Sequence, residues 1–294
     1  MMRNPFAFIL LFLCLISVNG QQKLIWLKIK RFHVADLERR LHENSGLAFL
    51  DGKLFSVNDS GNSAELFQLN KKNGAVARVW QTGLTNIDWE ALTAGNDELY
   101  IGDIGNNSGS RKHLSVYRIK FGKDSIITRD SLQFYYPEQT DFSAPMLRTN
   151  FDSEALIFAN GQLHLFTKEW LSKGTTHYII DPKNSENQSA QKAEKYTTGF
   201  FVTDAAYFER KLYLVGYTKN TDVYLSVFSK SEQGIFFRNP PKKYYLGSAI
   251  SISQIEAIAV DAEGIYLSGE GIDVPLLKIR PKFYFIPHAF LYQN

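Results

Sequence analysis

Five short apolar strands in this chain open on an acidic or hydroxyl residue at one fixed register. They are Ser45-Gly46-Leu47-Ala48-Phe49, Glu90-Ala91-Leu92-Thr93-Ala94, Glu154-Ala155-Leu156-Ile157-Phe158, Asp204-Ala205-Ala206-Tyr207-Phe208 and Glu256-Ala257-Ile258-Ala259-Val260. Placing a carboxylate at the head of a buried strand is costly unless something pairs with it. A cost repeated once per unit implies that the units bring those oxygens together. Each start is followed across a turn by a second strand-like run: Lys53 to Val57, Glu98 to Gly102, Gln162 to Phe166, Lys211 to Val215 and Gly264 to Ser268. Turn formers such as Asp51-Gly52 and Asn160-Gly161 separate the pairs. Third runs follow at Glu65 to Leu69, Leu114 to Ile119, Thr176 to Ile180, Val223 to Phe228 and Val274 to Ile279. Grouped short strands repeating at about fifty residues are the signature of an all-β propeller, one small antiparallel sheet per repeat.

The spacing sets the blade number. Successive leads are 45, 64, 50 and 52 residues apart, and even the longest interval is too short for two blades of about 40 residues each. The 38 residues after Glu256 and the 24 from Gln21 to Asn44 together supply one more blade's strands. Five blades are therefore expected; a sixth would have no visible signal. The apolar run Leu24 to Ile29 is the expected closing strand, beside the C-terminal ones. The polar stretch Asn184 to Lys195 reads as a long surface loop.

Residues 1–20 stand outside this pattern. Arg3 gives a positive start, Phe6 to Val18 an apolar stretch and Val18-Asn19-Gly20 a small-residue cleavage site, as in a secretory signal peptide. The stretch falls short of the roughly 20 apolar residues a membrane span needs, so no span is expected after cleavage. Cys14 is the single cysteine, so residues 21–294 form one domain held by its core without disulfides. With 22 Phe and 15 Tyr that core is ample. A periplasmic or extracellular location follows as the expectation. A net charge of +3 gives no support for nucleic-acid binding. No zinc-protease, P-loop, nucleophile-elbow or dinucleotide motif is present.

In a propeller the innermost strands line the central channel, so Ser45, Glu90, Glu154, Asp204 and Glu256 are expected to converge on its axis. Carboxylates about 6 Å apart at an effective dielectric near 20 repel by roughly 3 kcal/mol per pair. Protonation or a shared divalent cation relieves this, and oxygen-only ligands favour Ca²⁺. The loops after the second strands carry Asn58-Asp59-Ser60-Gly61-Asn62 and Asp103-Ile104-Gly105-Asn106-Asn107. Asp59 and Asp103 are the candidate general bases there. Asn58, Asn106, Arg111, Lys168 and Trp170 are the candidate ligand contacts, with the two cations suited to a phosphate or carboxylate group. Lys168 serves equally well as a counter-charge to the acids.

The chain resembles a group of uncharacterised exported bacterial β-propellers. The resemblance rests on Asn58-Asp59-Ser60-Gly61-Asn62, Asp88-Trp89-Glu90-Ala91-Leu92, Tyr100-Ile101-Gly102-Asp103-Ile104-Gly105-Asn106-Asn107, Tyr117-Arg118, Asp152-Ser153-Glu154-Ala155-Leu156 and Thr167-Lys168. More distantly it is similar to the soluble calcium-activated nucleotidases, the five-bladed apyrases. That resemblance implies an axial calcium held by Ser and Glu residues of successive inner strands, onto which Ser45, Glu90, Glu154 and Glu256 fall. Asp204 stands where that family has a Ser, and the family's longer inserted substrate loops have no counterpart. Two functions follow as expectations: a calcium-binding propeller holding a small-molecule ligand at the channel mouth, or a calcium-dependent hydrolase of phosphoanhydride or ester bonds.

Overall fold

The structure is a computed structural model that describes residues 24–184, 186–229, 235–275 and 277–291, the side chains of 128 and 129 apart. The expected signal peptide lies outside the described residues. Five antiparallel sheets form the blades of a ring, so the molecule is a five-bladed β-propeller. Blade 1 runs Asn44–Leu50, Lys53–Asn58, Glu65–Leu69 and Val76–Gln81 from the axis outward. Blade 2 runs Trp89–Gly95, Glu98–Asp103, Leu114–Phe121 and Ile126–Tyr135, and blade 3 runs Asp152–Ala159, Gln162–Lys168, Thr175–Ile180 and Gln191–Tyr196. Blade 4 is Phe201–Phe208, Lys211–Tyr217, Asp222–Ser229 and Lys242–Ser248; blade 5 is Gln254–Val260, Gly264–Glu270, Lys282–Pro287 and His33–Asp36.

The inner two strands of each blade are apolar on both faces because both faces are covered by neighbouring blades. An apolar cluster fills each blade–blade interface. Between blades 1 and 2, for example, Phe55, Val57 and Leu66 pack on Trp89, Leu99 and Ile101. Between blades 5 and 1, Tyr266 and Phe283 pack on Leu47, Leu54 and Phe67.

Closure differs from expectation. The strand that joins the C-terminal blade is His33–Asp36, paired antiparallel with Lys282–Pro287. The apolar segment Leu24–Trp26 instead runs parallel to the outermost strand of blade 4, with Trp26 opposite Tyr245. Leu27 and Ile29 then sink into the interface between blades 4 and 5, which is what their apolarity serves. The run Val274 to Ile279 is not the third strand of blade 5. Ile272–Val274 and Leu277–Ile279 pair with each other as a separate hairpin, and Lys282–Pro287 takes the place in the blade. The stretch from 184 to 195 is not a loop throughout: Gln188–Ser189 pairs along the edge of blade 2, and Gln191–Tyr196 is the outermost strand of blade 3. Its polarity is that of an exposed outer edge.

Candidate functional site

Each innermost strand begins with a β-bulge, where an extra residue breaks the pairing with the second strand. The bulge sets aside Glu90, Glu154 and Glu256 in blades 2, 3 and 5, and Ser45 with Gly46 in blade 1. An unpaired bulge residue bends the strand and re-aims its side chain. Ser45, Glu90, Glu154 and Glu256 accordingly line one cavity of about 330 Å³ at the channel mouth. In blade 4 the bulged residue is Thr203, one position before the expected Asp204. Thr203 Oγ1 donates to the Ile255 carbonyl at 2.8 Å across the blade boundary. Asp204 sits one step deeper, fully buried, and does not line the mouth. Its carboxylate accepts the backbone N–H groups of Ala205 at 2.8 Å and Ile258 at 2.7 Å. It ties blade 4 to blade 5.

Around the mouth the acids fall into two groups. On the side of blades 1 and 2, carboxylate oxygens of Asp59, Asp88 and Glu90 all lie within 4.8 Å of one another. Gly105 makes that approach feasible: a Cβ there would clash with Asp88 Oδ2 and stand 2.8 Å from Glu90 Oε1. Ser45 Oγ donates to Glu90 Oε2 at 3.2 Å. On the far side, Lys168 Nζ donates to Glu154 Oε1 at 2.6 Å and lies over the rings of Trp170 and Tyr217. Gln254 Nε2 bridges Glu256 Oε1 at 2.6 Å and Glu270 Oε1 at 2.5 Å.

The electrostatics follow from burial. Desolvation holds the Glu90 carboxyl well above its usual range, and the charges of Glu154 and Asp59 raise it further. Burial, then the charges of Asp59 and Asp152, push Asp88 up to about 6. Burial pushes Glu256 up to about 7 against the pull of Lys168 and Gln254. Glu270 rises well above normal from burial and from the Glu256 charge, and Asp59 rises mainly from burial. Burial pulls the Lys168 ammonium down, but Glu154, Tyr217 and Glu256 outweigh it and keep it charged. Burial and mutual repulsion together disfavour the fully ionised form of these acids.

Several expected contacts are committed elsewhere. Asp103 is fully buried and salt-bridged to Arg111 at 2.6 Å, with its second oxygen accepting from Ile87 N–H at 3.2 Å. Arg111 also donates to the Gly105 carbonyl at 2.7 Å. Neither faces the cavity; together they hold the loop that carries Gly105. Asn106 is consumed by the Phe151 carbonyl and the Arg111 N–H. Asn58 donates to the Arg40 carbonyl at 2.7 Å and likewise does not line the mouth. Asp59, Lys168 and Trp170 do line it. The indole N–H of Trp170 is fixed by Asp152 at 2.8 Å. Asn107 and Gln254 also line the mouth, as do Met146, Leu147, Tyr217 and Glu270, which no motif in the sequence marks, with Asp88 beside Glu90. The i, i+2 alternation of an inner strand puts Asp88 on the side of Glu90 and Gln254 on the side of Glu256.

No protein-family profile matches the sequence, and a search of curated proteins returns no match. Among solved structures, similarity extends to a putative oxidoreductase (glucose dehydrogenase) from Thermus thermophilus, at 12% identity over 85% of this chain and 98% of that one, TM-score 0.42. A putative 6-phosphogluconolactonase from Bacteroides uniformis matches at 12% identity over 82% and 71%, TM-score 0.40. The β-propeller domain of Cps50 (Swd1) from Myceliophthora thermophila matches at 7% identity over 83% of both chains, TM-score 0.38. Likeness this distant carries no function. What identifies the architecture is the chain's own ring of five sheets.

Proposed function

We propose that this chain is an exported calcium-binding propeller that presents its ion to a small-molecule ligand at the channel mouth. The observation that carries the reading is the convergence of Asp59, Asp88 and Glu90, whose oxygens lie within 4.8 Å of one another against a glycine. Hard oxygen donors at bulge and loop positions suit Ca²⁺, which accepts six to eight oxygens in flexible geometry. Relative to the expected axial ring, the ion belongs off-axis, toward blades 1 and 2. Lys168 already neutralises Glu154 on the other side. Export rests on the sequence of residues 1–20.

A second reading, calcium-dependent hydrolysis, draws on Asp59. Of the two expected bases it alone still faces the cavity. Bound Ca²⁺ would supply Lewis-acid polarisation, and Asp59 would hold the proton of an attacking water. The apyrase-like form of this reading is the less supported one, because Arg111 is spent on Asp103.

Thermal unfolding tests the calcium reading. An ion bound only by the folded state adds about 2.7 kcal/mol at a hundredfold excess over Kd. Calcium should raise Tm, and Asp88→Asn with Glu90→Gln should abolish the rise. A wild-type Tm indifferent to both calcium and chelator would refute it.

A further inference from the structure

Two large apolar side chains stand exposed on the lip of this acidic mouth. Met146 is 72% and Leu147 45% exposed, and both line the same cavity as Glu90, Glu154 and Lys168. They belong to the long connection between blades 2 and 3, the source of the 64-residue interval in the sequence. Leu147 holds φ at +60°, a left-handed conformation that costs a branched residue energy and persists where the surroundings impose it. The surroundings do impose it. Leu147 N–H donates to the Asn107 carbonyl at 2.8 Å, Gln139 Nε2 to the Gly109 carbonyl at 2.7 Å, and Trp170 N–H to the Thr149 carbonyl at 3.1 Å. The lip is pinned on both sides, with its apolar side chains turned to the cavity.

Charge narrows what can enter. Asp59, Glu90, Glu154, Glu256 and Glu270 line the cavity against the single ammonium of Lys168. A bound dication and that ammonium together do not leave the lining with excess positive charge. Arg111, the other cation expected here, is locked to Asp103. A polyanion therefore meets a wall of carboxylates with one dication and one ammonium to offset it.

Resting on the calcium reading above, we infer that the mouth takes an uncharged amphiphilic ligand: a carbonyl or hydroxyl oxygen directed to the ion, and an apolar body laid on Met146, Leu147 and Trp170. Nucleotides and other polyphosphates are disfavoured. The apolar lip is the specificity element, and the acids serve the ion.

Ligand-observed NMR and calorimetry on the mature protein with calcium would compare acetophenone, phenylacetate and phenyl phosphate, which share a ring and differ in charge. Acetophenone should bind most tightly and phenyl phosphate at least about tenfold more weakly. Met146→Ser with Leu147→Asn should weaken acetophenone by about tenfold and leave the calcium-induced rise in Tm intact; Asn tolerates the left-handed backbone, so the lip keeps its shape. Phenyl phosphate binding as tightly as acetophenone, no binding of any probe at millimolar concentration, or an indifferent double variant would each overturn the inference. Loss of the calcium response in the wild type would instead overturn the calcium reading beneath it.

Discussion

Nine residues separate each bulged lead from the first buried apolar residue of the following strand: Ser45 to Leu54, Glu90 to Leu99, Glu154 to Leu163, Glu256 to Ile265, and Thr203 to Leu212. Asp204 breaks that spacing by one. Matching acids by type rather than by distance to the next strand is what shifts the register of blade 4, so the correct lead was legible in the chain. The roles of Asp103 and Arg111 were not, because their pairing depends on how a loop folds back. Asp204 serves the fold, and Asp204→Asn, which turns an amide N–H toward donors, should lower stability by about 1–3 kcal/mol while sparing the calcium response, as melts with and without calcium would read. Gly105→Ala is the converse probe. Its methyl group forces Asp88 and Glu90 apart, so the folded variant should lose the calcium-induced rise in Tm.

At the scale of elements, inner strands announce themselves and outer strands do not. Buried on both faces, strands such as Lys211–Tyr217 are nearly continuous apolar runs. An outermost strand such as Gln191–Tyr196 is largely exposed, and its composition is that of a loop. The same asymmetry misplaced the closing strand: Leu24–Trp26 looks like core, whereas His33–Asp36, which completes blade 5, is half polar. Truncation distinguishes their roles. Removing the chain through Trp26 deletes an edge strand whose Leu24 and Trp26 are exposed, and the protein should still unfold cooperatively. Removing it through Asp36 also strips Leu27 and Ile29 from a blade interface and opens the ring, so the sharp transition should vanish. Equal melts for the two truncations would contradict this closure.

For the whole molecule, the acid mouth makes stability depend on pH in an unusual direction. Glu256 and Asp88 have folded-state pKa values raised to about 7 and about 6, above the usual carboxyl range. Between the unfolded and folded values the native state binds more protons than the unfolded one, so stability falls as pH rises through that window. Without calcium the protein should therefore melt higher at pH 5 than at pH 8. Calcium should narrow that gap by replacing the protons of Asp88 and Glu90 while leaving the Glu256 part, and a chelated protein most stable at pH 8 would contradict the electrostatics. The most direct measurement is calcium titration calorimetry at pH 7 in buffers of different ionisation enthalpy. One ion per chain should bind, with proton release, and both should be lost in Asp88→Asn/Glu90→Gln. Absence of calcium binding by the wild type, or binding unchanged in that variant, would contradict it.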